Sequence, residues 1–593
     1  MEESKIEQKA FSDHPNHSHY RDNDSSEIVS IHSNSNQGES YLRCFVDSFK
    51  PISLEIEGID VSELTQIERS NIATARHPLA KRLKSRHLQM IAIGGSIGTG
   101  LFVGSGYALS QGGPGAMLIG YSLVGYSLLC VINALGEMSV QFPVSGSFNA
   151  FFSRFVDPTW GFVLGLLYAL SWLISFPSEL IAASLTLRYW NTSVDGAVWI
   201  AIFWLVITII NFFGVVGYGE VEFVLSILKV LAVIGFIIVG ICITCGVGDQ
   251  GYLGGRYWHN PGAFNNGFKG VASVFVSAAF SFGGIELVAL AAAETANPQK
   301  SLPRATKQVF WRITLFYILT AIIIGCLVPY TNENLISSDD ADSQIAQSPF
   351  VIAIEIAGIK VLPDILNAVV LIAVISVGNS AVYGCSRSLA SLAVQGLIPE
   401  IFGYVDRAGR PLVSIVVSCL FGLLGFLVDA AQEETVFTWF FSICSLSSFF
   451  TWAAICFTHL RWRWALQKQG RSKDQIIFQS PLGVFGSISG IIVLLFIVAL
   501  EMWVSLYPTW GEPGVAQNVN FWQSCLSLPL MIVMYIVHKT YRRSWNMIMI
   551  KLEDIDLDTG RREIDDSMMK IEIDEIRVNE IHKPNIFYRL FGF

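Results

Sequence analysis

The sequence predicts an all-α integral membrane protein of roughly twelve transmembrane helices, the first and the sixth of them broken. Three observations lead there. Hydrophobic residues make up 52% of the 593 residues and charged residues only 15%, where a soluble domain carries about 25% charge. Apolar runs of the ~20 residues that a bilayer core requires begin near residues 89, 116, 160, 196, 222, 271, 310, 361, 411, 436, 482 and 521. Two of those runs, five apart in order, are interrupted by glycine. Paired interruptions of this kind point to an inverted-repeat transporter with a site at the membrane midplane.

Residues 1–85 read as a cytoplasmic tail, polar and rich in His, Ser, Asn and Asp near its start, with little capacity to bury a core. No signal peptide is expected there. A less polar patch, Tyr41–Lys50, is a candidate to pack on the membrane domain. Residues 86–542 hold the transporter domain, and 543–593 form a second charged tail. Lys and Arg set the orientation. Arg76, Lys81, Arg82, Lys84 and Arg86 precede the first run, and Lys300, Arg304 and Lys307 follow the sixth. Arg387, Arg407 and Arg410 follow the eighth, and Arg461, Arg463, Lys468, Arg471 and Lys473 follow the tenth. The opposite stretches 331–350, 429–435 and 507–520 contain no Lys or Arg. Both termini are therefore expected in the cytoplasm. Asn191 then opens a glycosylation sequon on the outer side.

The first interrupted run is Gly94-Gly95-Ser96-Ile97-Gly98-Thr99-Gly100-Leu101-Phe102-Val103-Gly104. Each interior glycine costs a helix ~1 kcal/mol relative to Ala. A break inside hydrocarbon is tolerated only where the freed backbone is buried in protein or lines a cavity. Such backbone can hold a carboxylate and an ammonium. Gly94/Gly98 and Gly100/Gly104 are also GxxxG pairs, so close helix packing is the alternative. The second interruption is Phe280-Ser281-Phe282-Gly283-Gly284-Ile285-Glu286-Leu287, two glycines and then a carboxylate.

Ionisable residues within the bilayer are costly and usually functional. Lys229 sits about two turns inside a fifth run taken to start near 222, too deep for easy snorkelling. It is a candidate to take and release a proton; the alternative is a permanently charged structural prop. Glu286 either meets a substrate ammonium or fixes the unwound turn. Glu137 and Glu179, the latter after Pro177, are structural or gating. Phe282 is a candidate gate, and Ser376, Asn379 and Ser380 either face the cavity or bond a neighbouring helix. No histidine falls inside these runs, which argues against a histidine relay.

A formal charge of −9 argues against nucleic acid as a partner. The ten cysteines are scattered, without zinc-like spacing. No nucleophile–base pair or metal cluster stands out, so neither an enzyme nor a cofactor is expected.

These segments resemble the fungal amino-acid permeases of the amino acid–polyamine–organocation superfamily. The resemblance rests on Arg86-His87-Leu88-Gln89-Met90 leading into the first interruption, and on the second interruption followed by Ala293-Glu294 and Asn297-Pro298. It continues through Gly378-Asn379-Ser380 to Asp406-Arg407-Ala408-Gly409-Arg410-Pro411. It looks most like the general, broad-specificity type. That resemblance implies a LeuT-like fold, two five-helix inverted repeats plus two helices, importing amino acids with protons across the plasma membrane. By position, backbone around Gly95, Ser96, Gly98 and Thr99 would take the substrate carboxylate. Backbone at Ser281 and Phe282 would meet the ammonium, with Glu286 close by, and Lys229 would stand where sodium-coupled relatives hold an ion. Tail lysines such as Lys5 and Lys9 would be ubiquitin sites. A permease-like amino-acid sensor with little flux is the rival reading.

Overall fold

The computed structural model describes residues 48–51, 65–76, 83–95, 97–190, 193–295, 298–335, 347–429, 433–509 and 515–561. Ser96, Asn191, Lys5 and Lys9 lie outside the described residues. Residues 51–593 form one compact unit, to which all the helices of the described residues belong.

The described residues are helical throughout, with two isolated β-bridges and no sheet. In order the helices are α1 (Gln66–Arg76), α2 (Ser85–Gly94), α3 (Ser105–Gln141), α4 (Phe148–Phe155), α5 (Pro158–Leu187) and α6 (Gly196–Phe212). Then come α7 (Gly214–Thr244), α8 (Gly267–Phe282), α9 (Leu287–Ala292), α10 (Pro298–Arg312), α11 (Leu319–Leu327) and α12 (Pro349–Ile356). The last six are α13 (Leu362–Val394), α14 (Leu412–Gly422), α15 (Glu433–Lys468), α16 (Gly483–Leu506), α17 (Asn518–Cys525) and α18 (Ser527–Arg542). Local chemistry starts several of them. Asp157 caps α5 by accepting from the Thr159 amide at 2.9 Å, with Pro158 pre-set in the first turn. Asp195 caps α6 in the same way through Ala197.

An internal repeat with an offset of five crossings is visible in which helices touch. The interrupted pair α2/α3 corresponds to α8/α9, and each repeat carries an eight-residue helix, α4 or α12, ahead of its third crossing. Packing of α5 on α6 recurs as α13 on α14, α2 on α7 as α8 on α15, and α7 on α13 as α15 on α5. Five is odd, so the second copy runs in the opposite sense. The inverted five-plus-five fold expected from the two interruptions is what is observed.

By length and apolar composition alone, eight helices among the described residues qualify as spans, or nine if α17 and α18, bent by 56°, count as one. The expected twelve are not reached on that basis, for three reasons. Residues 100–141 run as one helix, although Gly113 (φ 79°, ψ 173°) and Pro114 break its geometry between two apolar runs. Residues 196–212 and 412–427 are apolar but short. The first interrupted run is divided between α2 and the start of that long helix.

Three boundaries differ from the sequence reading. Helix α7 begins at Gly214, which puts Lys229 near its middle, about four turns in. Helix α15 continues past its apolar run to Lys468, so Arg461 and Arg463 are helical rather than in a loop, and a buried histidine, His459, lies within it. Its Nδ1 is 2.8 Å from Ser487 Oγ and its Nε2 3.4 Å from Glu137, which also pairs with Arg463 at 2.7 Å. The first tail also contains structure, since α1 packs on α4.

Described parts of the two tails, 65–76 and 544–561, meet on one face of the bundle. Asn71 in α1 donates to Asp556 at 2.9 Å, and Arg154 in α4 bonds the Asp556 carbonyl at 2.8 Å and its carboxylate at 3.3 Å. Gln469 holds the carbonyls of Leu552 and Ile555. Burial pushes the Asp556 carboxyl up, but Arg154 and the amides of Thr559 and Asp558 outweigh it, leaving the group below the usual carboxylate range. Its folded value is thus depressed, so its contribution is complete above the unfolded value of about 3.9 and is lost only as pH falls through the lower folded one. Limited proteolysis at neutral pH is expected to cut residues 544–561 faster in Asp556→Asn than in wild type. Equal rates would show that this pair does not hold the segment.

Candidate functional site

The two interruptions meet at the centre of the bundle. A Cβ placed on Gly100 would lie 2.3 Å from Ser281 Cα and 2.5 Å from its nitrogen, so the two backbones cross in direct contact. Gly284 adopts φ +91°, which a side chain rarely permits, and the Gly95 carbonyl lies 3.5 Å from where its Cβ would be. A Cβ on Gly98 would meet Val377 Cγ2 at 2.2 Å. Gly95 and Gly98 lie at the break itself, whereas Gly100, already helical, is the position that allows the close approach.

Around this crossing lies a cavity of about 40 Å³, room for about three waters. Gly98, Thr99, Gly100, Phe280, Gly283, Gly284 and Glu286 contribute from the interruptions. Tyr168, Ser171, Trp172, Ser175 and Glu179 come from α5, Val377 from α13, and Cys444 and Ser448 from α15. The Thr99 hydroxyl donates to Glu179 Oε2. Glu286, just ahead of α9, accepts from the Tyr168 hydroxyl and from Trp452 Nε1, each at 3.2 Å. Both of its oxygens thus have partners, an arrangement that also fixes the turn.

Of the residues singled out from sequence, Gly98, Thr99, Glu179 and Glu286 line this cavity, and Gly95 adjoins it through Gly284. Ser281 and Phe282 are behind it. Ser281 Oγ is 2.9 Å from Tyr121 Oη, and its carbonyl accepts from Tyr317 at 2.9 Å. Phe282 stacks on Tyr317 with centroids 4.1 Å apart. Phe280 faces the cavity instead and packs on Phe441 at 4.2 Å. Beyond the other end of the break, Arg387 donates to Glu294 at 3.0 Å and lies over the Tyr383 ring, while the Leu83 amide bonds the Glu294 carbonyl.

Lys229 is fully buried and outside the cavity lining. It donates to Ser376 Oγ at 2.8 Å and pairs with Glu222 Oε1 at 3.3 Å. Ser376 in turn donates to Glu222 Oε2 at 2.6 Å, and Ser226 to Oε1 at 3.0 Å. Ser376 precedes Val377, so the network sits one residue behind the wall that Gly98 touches, within electrostatic reach of Glu179. Asn379 and Ser380 do not join it: Asn379 accepts from Asn211 at 2.9 Å, and Ser380 lies 3.1 Å from the Tyr218 hydroxyl.

Sequence reasoning did not bring the α5 wall together as one surface, Ser171 and Ser175 least of all, and it missed the partner of Lys229. A signal existed for the wall. Tyr168, Ser171, Trp172, Ser175 and Glu179 recur at helical spacing within an otherwise apolar helix, a polar stripe on one face. Glu222 is seven residues before Lys229, two turns away on the same face of α7, and the periodicity links those two as well.

The sequence matches the amino acid permease family over residues 87–549. This chain belongs to the amino acid permease family. It is 68% identical to an S-adenosylmethionine permease of Candida albicans, over 94% of this chain and 90% of that one. It is 50% identical to the general amino-acid permease of Saccharomyces cerevisiae, over 93% and 91%. Among solved structures, a nucleobase-cation-symport-1 family transporter in a closed conformation with bromovinylhydantoin bound aligns with TM-score 0.44 and 17% identity, over 76% of this chain and 100% of that one. The permease is thus a multi-pass membrane transporter and not an enzyme.

Proposed function

We propose that this permease imports amino acids together with protons across the plasma membrane, with broad specificity and both termini in the cytoplasm. The observation that carries the coupling is the buried Lys229–Glu222–Ser376 cluster one residue behind the cavity wall. A proton moved onto or off such a cluster changes its net charge in the core, which biases the packing of α7 against α13 and, through Val377, the Gly98 break. The cavity chemistry supports an amino-acid cargo. Half-helix amides at Thr99 and Gly100 suit a carboxylate, and Glu179 and Glu286 suit an ammonium. The side of the termini follows from the Lys and Arg placement. The Asn71–Asp556 bond between the two tails supports an even number of crossings.

The 68% identity to an S-adenosylmethionine permease favours a second reading of the cargo, a sulfonium-bearing amino acid. Both readings are tested by uptake of labelled leucine, lysine, glutamate and S-adenosylmethionine in permease-deficient cells at several external pH values. Broad specificity predicts uptake of several of the panel, rising with external acidity. Uptake of S-adenosylmethionine alone would replace breadth with the narrow reading. Binding with little flux would make the protein a sensor, and sodium dependence would remove the proton.

A further inference from the structure

Beyond the central cavity, α10 ends on a charged residue that none of the transport machinery above uses. Arg312 is 1% exposed, and its Nε, Nη1 and Nη2 all lack a hydrogen-bond partner. An uncompensated charge in a protein core is strongly disfavoured, more so within a bilayer. Its electrostatic neighbours are Glu286 and Tyr317, and its positive charge also acts on Lys229. The guanidinium is therefore within electrostatic reach of both the second break and the proposed proton site.

The backbone next to it is irregular. Ile313–Ile318 form a π-helical turn, a feature frequent at functional sites. Tyr317, within that turn, bonds the Ser281 carbonyl of the second break and stacks on Phe282. Whatever occupies the Arg312 fork is thus one helical turn from the residue that holds the break in shape. A planar fork with five N–H donors matches a carboxylate bidentately and attracts small anions generally.

We propose that Arg312 is an anion-binding station in the core of the permease, separate from the cavity at the two breaks, which takes a small anion: the carboxylate of the transported solute or a halide. The inference rests on the transport reading above. Wild-type uptake reports on that reading, and the comparison of variant with wild type reports on the station.

The experiment is uptake and thermal unfolding of the purified permease in proteoliposomes, with wild type beside Arg312→Met. Leucine is the solute, and chloride is present or replaced by gluconate. If the solute carboxylate is the occupant, Arg312→Met loses about tenfold or more in uptake while chloride makes no difference. If a halide is the occupant, wild type loses uptake and unfolds at lower temperature in gluconate, and Arg312→Met responds to neither medium. An Arg312→Met protein that takes up leucine within twofold of wild type, unfolds at higher temperature and shares its indifference to chloride would overturn the station, because removing an idle buried charge relieves the core. If Arg312→Met does not insert, Arg312→Gln, which removes the charge but keeps hydrogen-bonding capacity, takes its place in the same comparison with the same outcomes.

Discussion

Lys229→Met is expected to abolish acid-stimulated amino-acid uptake in permease-deficient cells, with signal at background while the protein still reaches the surface. The substitution does two separable things. It removes the group placed to carry a proton, and it leaves Glu222, fully buried, without its cation. Breaking one side of a buried pair costs about 3–5 kcal/mol. Here the Ser376 and Ser226 hydroxyls still hold both Glu222 oxygens, so the low end applies. The double variant Lys229→Met/Glu222→Gln separates the effects: neutralising both partners restores thermal stability and leaves uptake absent. Concentrative uptake by the single or the double variant equal to wild type would reduce Lys229 to a structural prop. Loss of uptake cured by Glu222→Gln alone would show that the burden was the orphaned carboxylate and not the missing proton.

Gly100→Ala is expected to have the second-largest effect, loss of uptake with a clear fall in unfolding temperature. Overpacking a core costs about 1–3 kcal/mol when side chains can adjust. At Gly100 the obstructing atoms are Ser281 Cα and nitrogen at 2.3 and 2.5 Å and the Phe280 carbonyl carbon at 2.8 Å. All are backbone, so one break must move off the other. Gly104→Ala is the control within the same GxxxG pair: its nearest neighbours would be Phe441 Cε2 at 3.9 Å and the Thr99 carbonyl at 4.0 Å, ordinary contact. It should transport normally. Matching behaviour of the two variants would mean that the crossing of the breaks does not depend on Gly100.

The sequence by itself determined the fold class, the two interruptions and the choice of Lys229 as a lysine deep in an apolar run. These follow from local chemistry: apolar length against bilayer thickness, glycine against helix, and charge against hydrocarbon. The offset of five between the interruptions was enough for the repeat, because connectivity and bilayer leave few ways to arrange the crossings. Which side chains complete the site was decided only by tertiary structure. Phe280 faces the cavity and Phe282 faces away because the two point about 200° apart around α8, which stays helical through Phe282; which of those faces meets the cavity is set by the packing of the helix. Glu179 joined Thr99, and Ser376, on α13 far along the chain, joined the Lys229–Glu222 pair. Such partners are set by how helices register across the bundle, and side-chain packing fixes that register after each helix has formed. The unpaired guanidinium of Arg312 belongs with these. Its position in the sequence marks it only as a charge near an apolar run, and its isolation is a property of the neighbours that the fold gathers around it.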